Sequence, residues 1–260
     1  MTRFAAILIT LIFTGYSLLF LGCASKPAPE KSEIADLHLQ IGVDYLKKEN
    51  YPLALKELLI AEETDPNNAS VQSNLGLVYF LRERYELSEK HYRKAISINP
   101  RFTDAKNNLS RAFIEIGQYR QAEGLLKEVL ADLTYVDFPK AFANYGVLEF
   151  KRKNYVNAVA FFKKSLEKDR ENCYTHVYLG RSYLEQKDTN YAVIQLERAI
   201  PFCNQIEADE AHFYSAIALF RNGEKDKARV RFEELIKIYP SGYNIEKAQK
   251  MLELLKKGAL

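Results

Sequence analysis

The sequence predicts an all-α solenoid of stacked helical hairpins. Three observations predict it: a small residue that returns at a nearly fixed stride, helix-type spacing inside each stride, and breakers at the middle and end of each unit. Gly42, Gly76, Ser110, Gly146, Gly180 and Ala216 mark the stride, at intervals of 34, 34, 36, 34 and 36 residues. Repetition at this period, with each unit packing on its neighbours, is how helical repeat proteins build a core. Six units run over 35–68, 69–102, 103–138, 139–172, 173–208 and 209–242.

Counting from Ala69 as place 1, Leu75, Gly76 and Tyr79 fall at places 7, 8 and 11 and share one helical face. Ser88, Tyr92 and Ala95, at places 20, 24 and 27, share another. Arg84-Tyr85-Glu86 is the turn between the two faces. Pro100, at place 32, has no backbone N–H to donate, so the second helix must stop before it. The unit is a helical hairpin.

Place 8 is small in every unit, and so is place 20: Ala54, Ser88, Ala122, Ala158, Ala192 and Ala228. Glycine inside a helix is destabilising by roughly 0.5–1 kcal/mol relative to alanine, so four glycines in one register need a packing reason. Two helices crossing too closely for a larger side chain supplies it. Place 24 carries the bulk beside the crossing: Leu58, Tyr92, Leu126, Phe162, Leu196 and Phe232.

The Leu-Gly, Tyr, Ala, aromatic and Pro places together resemble the tetratricopeptide repeat, from about Ala35 to Pro240. The resemblance implies a right-handed superhelical solenoid of six hairpins plus a C-terminal capping helix, with the first helices lining a concave groove. Departures are local: Glu149 at place 11, Val129 and Leu235 at place 27, and Thr134, Arg170 and Asn204 where proline is expected. They weaken single boundaries and leave the fold intact.

A chain of 260 residues, 47% hydrophobic and 27% charged, can bury a sizeable core and is not of disordered composition. Its 37 basic and 34 acidic residues are interspersed, which offers nothing to nucleic acid. Residues 1–22 stand apart. After Arg3 an uncharged run from Phe4 to Leu21 ends in Phe20-Leu21-Gly22-Cys23. A permanent membrane helix is one reading, since the run approaches spanning length. The other is an export signal, because it contains Thr10, Thr14, Gly15 and Ser17 and closes on a small residue. The ending resembles the lipobox of bacterial lipoproteins, which implies cleavage before Cys23 and lipidation of that cysteine. Ala24 and Ser25 follow, without an aspartate, and the resemblance to sorted lipoproteins then implies a lipid anchor on the periplasmic side of the outer membrane. Residues 23–34, with Pro27 and Pro29, read as a tether.

Cys173 and Cys203 then remain, at places 1 and 31 of the fifth unit. The ends of an antiparallel hairpin lie at one end of the stack, so a disulfide is within reach; two unpaired thiols are the alternative. His38, His176 and His212 all occupy place 4 of separate units and read as packing residues, while His91 at place 23 reads as outward-facing. No metal site is expected from such spacing. No phosphate loop or nucleophile elbow is present, so neither an enzyme, a cofactor nor a small-molecule substrate is expected.

The first helices expose places 2, 5, 9, 12 and 13. In the first two units these include Leu39, Val43, Leu46, Leu77, Phe80 and Leu81, and in the third Asp104, Asn107, Arg111 and Glu115. The apolar set is either a groove for a partner's helix or packing between units. Asn74, Asn108 and Asn144 recur at place 6, where they bond a ligand backbone or a neighbouring helix. Residues 243–260 supply the cap and tail: Asn244 caps a last helix whose stripe is Ile245, Ala248, Met251, Leu252 and Leu255.

The stretches GVDYLKKENYPLALKELLIAEETDPNNA and NLGLVYFLRERYELSEKHYRKAISINPRFTDAKNNL, with a lipobox, six repeats and a cap, resemble the type IV pilus biogenesis lipoproteins, the tetratricopeptide pilotins. That resemblance implies a binding module that promotes localisation and multimerisation of the outer-membrane secretin pore. It also implies a secretin segment held at Leu39, Val43, Leu46, Leu77 and Phe80. The rival expectation is a lipoprotein adaptor in barrel-protein assembly or peptidoglycan-hydrolase recruitment.

Overall fold

One backbone event recurs at place 15 of every unit and sets the hairpins. Glu49, Glu83, Gly117, Lys153, Lys187 and Gly223 all have positive φ, between 58° and 86°. The next residue's N–H reaches back to the carbonyl at place 11, as in Arg84 N to Tyr79 O at 2.8 Å and Asn154 N to Glu149 O at 2.8 Å. This is a Schellman stop, which satisfies the last carbonyls of the first helix while reversing the chain. A left-handed residue with a Cβ costs about 1–2 kcal/mol, so at four of the six turns the hairpin's packing overrides local preference.

The structure, a computed structural model, describes residues 30–258, with backbone alone at 205–207. The expected signal segment, the lipidation at Cys23 and most of the tether lie outside the described residues. Among those described, the chain forms α1 (Lys31–Lys47), α2 (Tyr51–Thr64), α3 (Ala69–Leu81), α4 (Tyr85–Ile98), α5 (Thr103–Glu115), α6 (Tyr119–Ala131) and α7 (Phe138–Lys151). There follow α8 (Tyr155–Leu166), α9 (Cys173–Glu185), α10 (Thr189–Ala199), a 3-10 turn (Ile200–Phe202), α11 (Gln205–Arg221), α12 (Lys225–Ile238) and α13 (Ile245–Lys256). No strand occurs among the described residues. Helices α2, α4 and α12 each end two residues before Pro66, Pro100 and Pro240. Asn50, Asn68, Asn172 and Asp188 accept backbone N–H groups at the starts of α2, α3, α9 and α10.

The twelve helices α1 to α12 pair into six antiparallel hairpins. Each first helix also meets the first helix of the neighbouring hairpin, whereas successive second helices meet at most marginally. The stack therefore curves with α1, α3, α5, α7, α9 and α11 on its inner side. Close approach inside each hairpin comes from place 8. A Cβ added to Gly42 would lie 2.8 Å from Leu58 Cγ, one on Gly76 2.7 Å from Tyr92 Cδ1, one on Gly146 2.5 Å from Phe162 Cε1, and one on Gly180 2.5 Å from Leu196 Cγ. All six place-20 residues are fully buried. Glycine at place 8 thus makes room for the place-24 side chain, and alanine at place 20 lets the second helix sit close.

Helix α13 closes the stack, packing Ile245, Ala248, Met251, Leu252 and Leu255 onto the Phe213, Phe232 and Leu235 cluster. Asn244 does not cap it. That side chain and its own N–H both donate to Asp209 Oδ2, at 3.0 and 3.1 Å, tying the final loop to α11 instead. Cys173 and Cys203 form a disulfide, Sγ to Sγ 1.96 Å, joining the start of the fifth hairpin to its end. A loop of this size contributes about 3–4 kcal/mol by chain entropy.

Two glycine substitutions have opposite expected signs. Gly146→Ala drives a methyl into the Phe162 ring and should destabilise by about 1–3 kcal/mol. Gly124→Ala in α6 meets open space and should stabilise by about 0.5–1 kcal/mol. Urea unfolding of both variants beside the parent chain checks the pair; equal shifts would remove the interlock as the cause.

Candidate functional site

The inner face is a wall of first helices, and its character changes along the stack. At the N-terminal end Leu39 and Val43 open, with Gln40, Asp44, Lys47 and Asn74, onto a shallow hollow of about 420 Å³. Leu39 and Leu46 also pack their flanks on the Leu58 and Leu75 cluster. Leu77 packs on the central core, and Phe80 is 8% exposed. The expected groove residues therefore divide: Leu39 and Val43 face the hollow, while Leu46, Leu77 and Phe80 mainly join one unit to the next. Another hollow, about 400 Å³, lies between α10 and α12 and is walled by Glu197, Glu224, Asp226, Lys227, Arg229 and Glu234. Val193, Leu219 and Val230 also line it, so the hollow is apolar as well as charged.

From α5 onward the inner wall becomes cationic and aromatic. The Arg111 guanidinium lies 4.8 Å from the Phe80 ring centre and 5.1 Å from that of Tyr174, so it bridges the second unit to the fifth. Arg181 lies over Phe150, Tyr178 and Tyr214 at 5.0, 4.7 and 4.4 Å and pairs with Glu210 at 2.6 Å. Burial pushes the Tyr174 phenol well above its ordinary range. Lys151 pairs with Glu115 at 3.0 Å on the same wall. The two guanidiniums sit against ring faces, an attraction that strengthens when water is displaced.

Places 4 and 23 meet across the first, second, fourth and fifth hairpins, which explains His38, His91 and His176, whereas the His212 Nδ1 is buried without a hydrogen-bond partner. His38 bonds Glu57 at 2.7 Å, His91 bonds Gln72 at 2.8 Å, His176 bonds Gln195 at 2.9 Å, and in the fourth unit Phe142 stacks on Phe161. His91 is thus 6% exposed rather than outward-facing, stacked on Tyr79 with centroids 5.2 Å apart. Gln72 gives its amide protons to Glu62 and the Pro66 carbonyl, so its oxygen faces His91 and the Nδ1 position carries the proton. Burial pushes the Glu62 carboxyl up, but bonds from Gln72 and Lys94 outweigh that and hold it below its ordinary value. Among the described residues no three His, Cys, Asp or Glu side chains converge as metal ligands. Glu149, in place of the usual tyrosine, is buried and held by Arg152 at 3.1 Å and Asn154 at 2.8 Å. Asn144 donates to the Asn107 backbone and side chain, joining α7 to α5, whereas Asn74 bonds only its own helix at Ser70.

Burial holds both His91 and His212 below the ordinary imidazole value. The fold keeps the neutral rings, so their contribution is complete above about pH 6.5 and is lost as protons bind the unfolded chain below it. Thermal melts should show a midpoint that falls between about pH 7.5 and about pH 5.5, and His91→Gln should flatten that slope. An unchanged slope in the variant would remove His91 as the source.

Comparison with known proteins places this geometry among repeat solenoids. Models of the tetratricopeptide repeat match residues 69–102, 107–172 and 210–242. The crystal structure of PilW, described as a widely conserved type IV pilus biogenesis factor, superposes with a TM-score of 0.71 at 17% identity, covering 84% of this chain and 99% of that one. Pseudomonas aeruginosa PilF superposes with a TM-score of 0.66 at 22% identity, covering 86% and 100%. Cut9, from the APC/C Cut9–Hcn1 hetero-tetramer, reaches 0.76 at 17% identity, but only 43% of its chain is covered. No curated protein sequence matches.

Proposed function

Because the chain is a tetratricopeptide-repeat solenoid, we propose that it is a binding module without chemistry of its own, serving type IV pilus assembly as a pilotin. In this reading its partner is the secretin subunit, whose segment docks on the inner face of the first hairpins and whose pore it helps to localise and multimerise. The observation that carries the reading is extent. The likeness to PilW and PilF spans 99% and 100% of those chains, whereas the likeness to Cut9 spans 43% of that chain. The hollow beside Leu39 and Val43 supports it, offering apolar side chains to a partner's spaced hydrophobic anchors.

The lipobox ending at Cys23 supports placement at the periplasmic side of the outer membrane. No described helix is long and apolar enough to cross a membrane. A lipidated Cys23 would hold the solenoid at the surface through the tether.

A membrane pull-down with the full chain should retrieve secretin. Val43→Asp, which places a charge in the hollow, should reduce recovery about tenfold without altering the helical spectrum. Absence of secretin from the wild-type pull-down would overturn the pilotin reading. Separately, radioactive palmitate should label the wild-type chain and not Cys23→Ala. Unchanged membrane retention and size in that variant would remove the lipid anchor.

A further inference from the structure

Two arginines stand at place 9 of first helices, Arg111 in the third unit and Arg181 in the fifth. Their settings correspond. Each lies over the phenylalanine at place 12 of the preceding unit, Phe80 at 4.8 Å and Phe150 at 5.0 Å, and each has a tyrosine ring against it from further along the inner wall. They differ in one respect. Arg181 is neutralised by Glu210, at place 2 of the following unit, at 2.6 Å. The residue corresponding to Glu210 beyond Arg111 is Lys140.

Arg111 accordingly has no hydrogen bond or ion pair among the described residues, and its Nε is buried without a partner. The acidic residues that share α5 are engaged elsewhere: Glu115 with Lys151 at 3.0 Å, and Asp104 with the Tyr135 hydroxyl at 3.2 Å. Lys140 points its charge at Asp137, with which it is paired. A guanidinium presents five donors in a fixed fork, and a carboxylate fills that fork two bonds at a time. Here the fork is pre-positioned between Phe80 and Tyr174, so little side-chain freedom remains to be lost when an anion arrives.

We propose that Arg111 is a docking point for a carboxylate supplied by the bound partner: an aspartate or glutamate side chain, flanked by apolar residues, in a segment lying along the inner face. The chain shows the completed form of the same contact at Arg181 and leaves it open at Arg111. This deepens the preceding reading and rests on its premise that the partner segment lies on the inner wall; it does not require the partner to be a secretin. Apolar neighbours on the segment meet the half-buried Tyr174 ring, while the acid meets Arg111, whose other side rests on the buried Phe80.

The test uses the full chain in mild detergent and a displayed library of random short peptides. Peptides selected on the wild-type chain should share one acidic position beside apolar ones. Changing that acid to its amide should weaken binding about tenfold to a hundredfold. Lys140→Glu, which supplies an internal carboxylate as Glu210 does, should weaken the acidic peptide similarly, and Lys140→Gln should not. Arg111→Gln should bind acid and amide peptides equally, which isolates the pair in a double-mutant cycle. A library that yields no binder, selected peptides without a common acid, or full binding to Lys140→Glu would each overturn the proposal. If acidic peptides behave as expected while the secretin pull-down is empty, the pilotin reading falls and the Arg111 contact stands.

Discussion

The contact between place 8 and place 24 governs the structure. With Gly146 against Phe162 and Gly76 against Tyr92, the large side chain lies where a Cβ would otherwise be. Burying a large apolar side chain is worth about 1.5–3 kcal/mol, more than the 0.5–1 kcal/mol that glycine costs its helix. The exchange is favourable in the four hairpins that carry glycine at place 8, and Ser110 and Ala216 keep the place small in the other two. It also fixes the distance and crossing of the two helices, and that in turn sets where the next hairpin can sit. The first helices then touch one another and the second helices splay, so the curvature follows from a local steric fit.

A repeated frame lets individual contacts vary without disturbing the whole. The pair at places 4 and 23 is His–Glu, Gln–His, Phe–Phe and His–Gln in different hairpins. Each solution satisfies the same requirement, that a polar atom hidden between helices finds a partner or is replaced by a ring. Glu149 obeys it too, since Arg152 and Asn154 reach a carboxylate that stands where other units have apolar or phenolic side chains. Because contacts run mainly between neighbours, such substitutions stay local.

What was legible in the sequence was whatever repeats at fixed spacing. The stride, the small places 8 and 20, the bulky place 24, the helix ends before proline and the apolar stripe of α13 all appear as regularities along the chain. The turn at place 15 was not, because its left-handed conformation is imposed by hairpin geometry and is occupied by Glu49, Glu83, Lys153 and Lys187 as well as by glycine. The placement of His91 failed for a related reason: the burial of place 23 depends on a residue 19 positions away on the other helix. Asn244 looked like a cap because asparagine commonly is one, but Asp209, on α11, drew it away. Groove and interface could not be separated at Leu46, Leu77 and Phe80, since the same helical face serves both. Only stacking showed that Leu39 and Val43 retain access to the hollow.

The inner wall shows how a repetitive scaffold acquires a specific surface. Place 9 is Val43, Leu77, Val147 or Ile217 in four units and arginine in the other two. An aliphatic residue there extends the apolar wall and distinguishes few partners. An arginine among aromatic rings is partly dehydrated already, so it gains most from an anion that arrives in the right place and penalises an apolar group that covers it. At Arg181 the chain supplies that anion itself, and the contact becomes part of the structure. The same residue type at the same place therefore makes a structural joint or an open recognition point, and the difference lies in a single charge one unit further along. Specificity in this fold arises where the repeat leaves an internal requirement unmet, because the rigid frame cannot rearrange to meet it from within.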